Sequence, residues 1–71
     1  MASDRPATLG RQIRERRRSL RLTQDELADL AGCSSRFVRA LEVGKPSVRL
    51  DKVLDVLDVL GLDLQLAPTG S

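Results

Sequence analysis

Apolar residues along the 71-residue chain follow a helical period for most of its length and a period of two near its end. Thr8 precedes Leu9, Ile13 and Leu20, which share one helical face, so a first helix is expected to begin there. Arg16 falls inside that stripe; its aliphatic stem is expected to cover the core while its head reaches water or an acid. Thr23-Gln24-Asp25-Glu26 is a capping box with two acids where a helix dipole favours them, and it opens a second helix through Leu27, Leu30 and Ala31 that stops at Gly32. Ser34 or Ser35 caps a third helix holding Phe37, Val38 and Leu41, ended by Gly44 and Pro46. A fourth starts near Leu50 or Asp51 and reaches Leu60, with Gly61 just beyond. Its predicted core face is Leu50, Val53, Leu54, Leu57 and Leu60, with Asp51, Asp55 and Asp58 opposite and Val56 and Val59 on the rim.

After Gly61 the sequence Leu62-Asp63-Leu64-Gln65-Leu66 alternates, which predicts a strand. One strand has no partner for its N–H and C=O groups within a single copy. The economical arrangement is a two-fold axis that pairs residues 62–66 of two copies over the rim valines. Val56, Val59, Leu62, Leu64 and Leu66 are therefore the expected dimer interface. The organisation that follows is a disordered arm over residues 1–7, a helical domain over 8–61, a dimerisation strand over 62–66 and a disordered tail over 67–71.

Composition narrows the chemistry. The 41% apolar content supports a globular core in a chain of single-domain length. Cys33 is the one cysteine and there is no histidine, so disulfides, a metal site and a nucleophile–base pair all lack their residues. Neither a cofactor nor enzyme activity is expected, and Cys33 reads as a packed thiol. No run approaches the ~18 apolar residues of a membrane span, and residues 1–8 lack the apolar stretch of a signal peptide, so a cytoplasmic location is expected.

Charge is unevenly placed. Residues 1–49 hold eleven of the twelve Arg and Lys against six acids, whereas residues 50–71 hold one against four. Arginine outnumbers lysine ten to two, and its planar fork suits phosphate and guanine. An anionic polymer facing the first two-thirds of the chain is the natural partner. Arg11, Arg14 and Arg18 are either a solvated face or contacts to a nucleic-acid backbone.

Residues 24–43 have the organisation of a helix-turn-helix. Ala28 is small where two helices must cross steeply, and Gly32 supplies a turn residue free to take positive φ. Leu27, Ala31, Cys33, Val38 and Leu41 take the inward positions, leaving Ser34, Ser35, Arg36 and Arg39 outward on the second helix of the pair. With I-R-E-R-R at 13–17, L-T-Q-D-E-L-A at 22–28, A-G-C-S at 31–34 and L-E-V-G-K at 41–45, the chain resembles the lambda-repressor-like (Cro/cI, Xre) helix-turn-helix family over about residues 9–66. Through G-K-P-S-V-R-L-D and L-G-L-D-L-Q-L it is most similar to the HipB-type antitoxins.

The resemblance implies an all-α domain of four to five helices with a C-terminal β-strand used for dimerisation. It further implies base readout in the major groove by Ser34, Ser35, Arg36 and Arg39, and backbone contacts by Gln24 and Lys45, with Arg14 and Arg18 beside them. Arg17 and Glu42 match a structural ion pair joining the first helix to the third. Val43 stands where the family often has a polar Asn. The implied function is a homodimeric, sequence-specific repressor on a palindromic double-stranded DNA operator, and in the antitoxin branch the partner is a HipA-type kinase toxin. A stand-alone Xre-type or phage-type repressor is one alternative. An arginine-rich module for RNA or a membrane surface is another, although Leu9, Ile13 and Leu20 offer too narrow a stripe for insertion.

Overall fold

The computed structural model describes residues 4–69. They form four helices: α1 (Arg5–Ser19), α2 (Gln24–Ala31), α3 (Ser35–Glu42) and α4 (Leu50–Leu60). α1 packs on α3 and α4, and α2 packs on both α3 and α4. Ile13, Leu27, Val38, Val56 and Leu60 are fully buried where the four meet. Each such side chain contributes about 1.5–3 kcal/mol, the main stabilising term in a domain this small.

Local signals set most of the boundaries. Thr23 Oγ1 accepts from the Glu26 N–H at 3.0 Å while Glu26 Oε1 accepts from the Thr23 N–H at 2.8 Å, closing the capping box. Ser34, rather than Ser35, caps α3, its Oγ accepting from the Phe37 N–H at 3.0 Å. α1 begins three residues before Thr8, because Pro6 has the fixed φ that a first helical turn requires and lacks only a donor that would be unpaired there. The expected arm over 1–7 is thus helical from Arg5, and residues 1–3 lie outside the described residues.

All four helices end in the same way. At each C-terminus two successive N–H groups turn back onto the last-turn carbonyls; at α2, for example, Gly32 N–H reaches Asp29 O and Cys33 N–H reaches Ala28 O. The residue at the turn has positive φ in every case, and it is Gly32, Gly44 and Gly61 in three of them. In the fourth, after α1, it is Arg21 with φ 59°. That conformation costs a non-glycine residue about 1–2 kcal/mol.

Glycine also governs the α1–α3 crossing. A Cβ added to Gly10 would lie 2.3 Å from the Leu41 carbonyl oxygen and 2.6 Å from that of Glu42. The two backbones touch there, which explains a residue that costs an exposed helix interior about 1 kcal/mol.

α4 departs from its expected faces. The buried stripe is Val53, Val56, Leu57 and Leu60, an i, i+3, i+4, i+7 set. Val56, expected on the rim, is wholly buried, because α4 is rotated to seat it against the other helices. Leu50 and Leu54, expected in the core, are 61% and 42% exposed. Val59 is half-buried against the core.

Residues 62–69 carry no hydrogen-bonded strand among the described residues. The alternation at 62–66 is real, but a ladder needs a second strand, and the described residues of one copy hold none. Leu62 is half-buried on the core, while Leu64 and Leu66 are 45% and 94% exposed. No described helix is long and apolar enough to cross a membrane.

Candidate nucleic-acid interface

Arg17 and Glu42 tie α1 to the end of α3. Arg17 Nε donates to Glu42 Oε2 at 2.6 Å and Nη2 to Oε1 at 3.0 Å, a bidentate pair, with each residue 8% exposed. The third direction of the guanidinium is used as well, Nη1 donating to the Leu22 carbonyl at 2.8 Å. Leu22 N–H in turn reaches the Arg17 carbonyl at 3.1 Å, so side chain and backbone clamp the α1–α2 turn together. Hydrogen bonding to Glu42 raises the Arg17 pKa above its ordinary value, more than burial lowers it. Gln24, at the start of α2, donates to Glu42 Oε1 at 3.1 Å, which uses one of its two amide protons.

This neutralised pair forms the floor of a groove between α1, α2 and α3. Its rim holds Arg14, Arg18, Arg21 and Arg39, with the half-buried Gln24 and the exposed Val43. Since Glu42 is spoken for by Arg17, the field in the groove is that of the rim arginines. Arg21 was read in the sequence as one of the arginines of the first helix and not as a site residue; the available signal was an arginine standing where the other helices end in glycine.

A second groove lies on the far side of α3, between that helix and the loop that enters α4. Ser34, Arg36, Lys45, Ser47 and Arg49 line it. Arg49 is paired with Asp51, Nη2 to Oδ2 at 2.7 Å in the open solvent, and that hydrogen bond holds the Asp51 carboxyl below its usual range. Arg36 and Lys45 make no ion pair among the described residues. α3 is therefore a ridge between two basic grooves, with Arg36 on one flank and Arg39 on the other.

The first turn of α3 brings two serines into different bonds. Ser34 Oγ accepts from the Phe37 N–H as the cap, whereas Ser35 Oγ donates to Asp25 Oδ1 of α2. Asp25 was read in the sequence only as an acid favoured by the helix dipole, and its pairing with Ser35 depends on how α2 crosses α3.

Two further placements bear on the interface. Arg16 is solvent-exposed, as expected, and its Nε also donates to the Leu60 carbonyl at 2.8 Å, so it caps the end of α4 where a helix dipole favours a cation. The Cys33 thiol is half-buried, and burial pushes its pKa up despite the opposing Lys52, which leaves little thiolate for redox chemistry. Lys52 itself donates to the Gly32 carbonyl at 3.1 Å and holds α4 against the turn between α2 and α3.

Known proteins share this fold. The helix-turn-helix domain family model matches residues 8–69. An uncharacterized HTH-type transcriptional regulator, y4mF, of Sinorhizobium fredii (strain NBRC 101917 / NGR234) is 43% identical over 65 residues, covering 92% of this chain and 86% of the relative. Among solved structures, a chain of the HipA–HipB–O2–O3 complex superposes with a TM-score of 0.84 at 23% identity, and a chain named MDT Protein with 0.84 at 21%, each covering 99% of both chains. At those identities the superpositions speak for the fold. With the family model spanning nearly all of the folded part, and with a 43% identical regulator beside it, the chain belongs to the Xre-like helix-turn-helix domain family and has a HipB-like fold.

Proposed function

We propose that this chain is a DNA-binding transcriptional regulator, acting as a homodimeric repressor on a palindromic operator. The observation that carries the reading is α3 as an exposed ridge between two basic grooves. A helix of that kind enters the major groove, and grooves beside it receive the two phosphate strands. Ser34, Ser35, Arg36 and Arg39 are the base-facing residues in this reading. Lys45, Arg14 and Arg18 meet phosphates, and Gln24 offers its second amide proton to the same backbone.

The dimer rests on the tail. Leu64 and Leu66 are exposed in one copy, and pairing residues 62–66 across a two-fold axis would bury them with Leu62 and Val59. Two α3 helices set about 34 Å apart would then meet successive major grooves. The likeness in sequence to HipB-type antitoxins and the superposition on a chain of the HipA–HipB–O2–O3 complex support an antitoxin that represses its own operon and binds a HipA-type kinase. The relative described only as a transcriptional regulator supports the alternative, a repressor without a toxin.

The test is a comparison of binding isotherms. On a duplex selected from a random library, Arg36→Ala should cost about 1–3 kcal/mol and leave random-duplex binding nearly unchanged. Lys45→Ala should weaken both alike and lower the slope of log affinity against log salt by about 1. Tighter binding of the wild type to hairpin RNA or to acidic vesicles than to any duplex would overturn the reading.

A further inference from the structure

Ser34 and Ser35 are adjacent and chemically similar, yet the fold leaves them with opposite capacities. Ser34 Oγ accepts from a backbone N–H, so its single proton remains available to donate. Ser35 Oγ gives its proton to Asp25 Oδ1, and a carboxylate has only lone pairs to offer. What Ser35 and Asp25 turn outward is therefore acceptors alone. The pair is held from both sides: Thr23 caps the helix that carries Asp25, and Ser34 caps the helix that carries Ser35. Asp25 is exposed, and a carboxylate beside a helix read as facing DNA opposes phosphate contact. The first turn of α2 favours an acid at Asp25 through the helix dipole, and the bond to Ser35 gives that acid a second role, in selection among bases.

We infer that Asp25 and Ser35 act as one acceptor-only reader in the first turn of α3, selecting an amino-bearing base, adenine or cytosine, on the strand it faces. This rests on the duplex-binding reading above. In the major groove adenine shows its N6 amine and cytosine its N4 amine, whereas guanine and thymine turn the acceptors O6 and O4 to the same place. A keto base there meets lone pairs with lone pairs and leaves acceptors without partners, which costs more than a good bond gains. Every base pair shows one amine in the major groove, so what is read is which strand carries it. Asp25 is a positioning residue in this scheme: it orients the Ser35 hydroxyl and withdraws its proton.

Selection from a randomised duplex library, with sequencing of the bound fraction, tests this for the wild type, Ser35→Ala and Asp25→Asn. The position whose preference Ser35→Ala abolishes should favour adenine or cytosine by about fivefold in the wild type, the scale of one neutral hydrogen bond. In Asp25→Asn the amide donates to Ser35 and releases the hydroxyl proton, so guanine and thymine should be accepted nearly equally at that position and at no other. Its affinity for random duplex should rise at the same time, since a carboxylate has left a surface facing phosphates. Ser35→Thr should keep the amino preference, and matching thermal melts of all variants establish that they fold. An unchanged base profile in Asp25→Asn, or a guanine or thymine preference in the wild type at that position, overturns the inference while leaving duplex binding intact. A wild type that melts normally and enriches no duplex overturns the duplex-binding reading and this one with it.

Discussion

The pair α2–α3 and the segment from α4 to the tail are similar in length and differ in how completely they satisfy themselves. In α2–α3 both helices start with a side-chain cap, both end on a glycine turn, and the inward residues Leu27, Ala31, Val38 and Leu41 are buried. α4 begins at Arg49 without a side-chain cap and shows Leu50 and Leu54 to solvent, followed by Leu64 and Leu66. The first region caps its own backbone within one chain, although Leu30, expected in the apolar stripe of α2, is 63% exposed, as is Val43 at 75%. In the second, apolar surface is left over after the core is complete, which is the surface the proposed dimer would cover. In the proposed function the first region would read the DNA and the second would assemble the reader.

Breaking the first region should have the largest effect. Glu42→Ala leaves the Arg17 guanidinium buried without its carboxylate and removes the acceptor for Gln24, at a cost of about 3–5 kcal/mol. A domain of this size has about that much stability in total, so the helical circular dichroism signal at 37 °C should largely vanish. A melt like that of the wild type would mean the pair is worth little.

Ending the chain after Gly61 attacks the second region instead. The α2–α3 unit should still fold, weakened by about 1–2 kcal/mol through loss of Leu62, while sedimentation shows a monomer. Affinity for a palindromic operator should drop on the order of a hundredfold or more, because one half-site no longer holds the other in place. Persistence of a dimer with unchanged operator affinity would refute the use of residues 62–66 in assembly.

The smallest effect sharpens the comparison at the single helix end that departs from glycine. Arg21→Gly removes the backbone cost at φ 59° and should stabilise the domain by about 0.5–1 kcal/mol, a rise in melting temperature of about 2–6 °C. The same change takes a cation from the α1–α2–α3 groove, so duplex affinity should fall modestly for all sequences. Stability and binding moving in opposite directions would explain an arginine held there; a lower melting temperature would show that its side chain is structural.

Thr23, Glu26, Ser34, Gly32, Gly44 and Gly61 were legible in the sequence because each acts on backbone within four or five residues of itself. The same locality made the four helices and the outward set on α3 readable from period and caps. Position along the chain does not say how one helix is turned against another, and most differences between expectation and structure lie there; the start of α1 at Arg5 is instead a local signal, Pro6, that was passed over. Arg16 reaches Leu60, 44 residues away, because α1 and α4 end side by side. Gly10 is required by a backbone crossing with α3, Val56 rather than Leu50 and Leu54 is buried by the rotation of α4, and Asp25 meets Ser35 through the angle between α2 and α3. The period-two pattern at 62–66 reached the limit from the other side. Alternation establishes that a segment suits a strand, but a strand exists only when a second one supplies its hydrogen bonds, and the described residues of a single copy have none to supply.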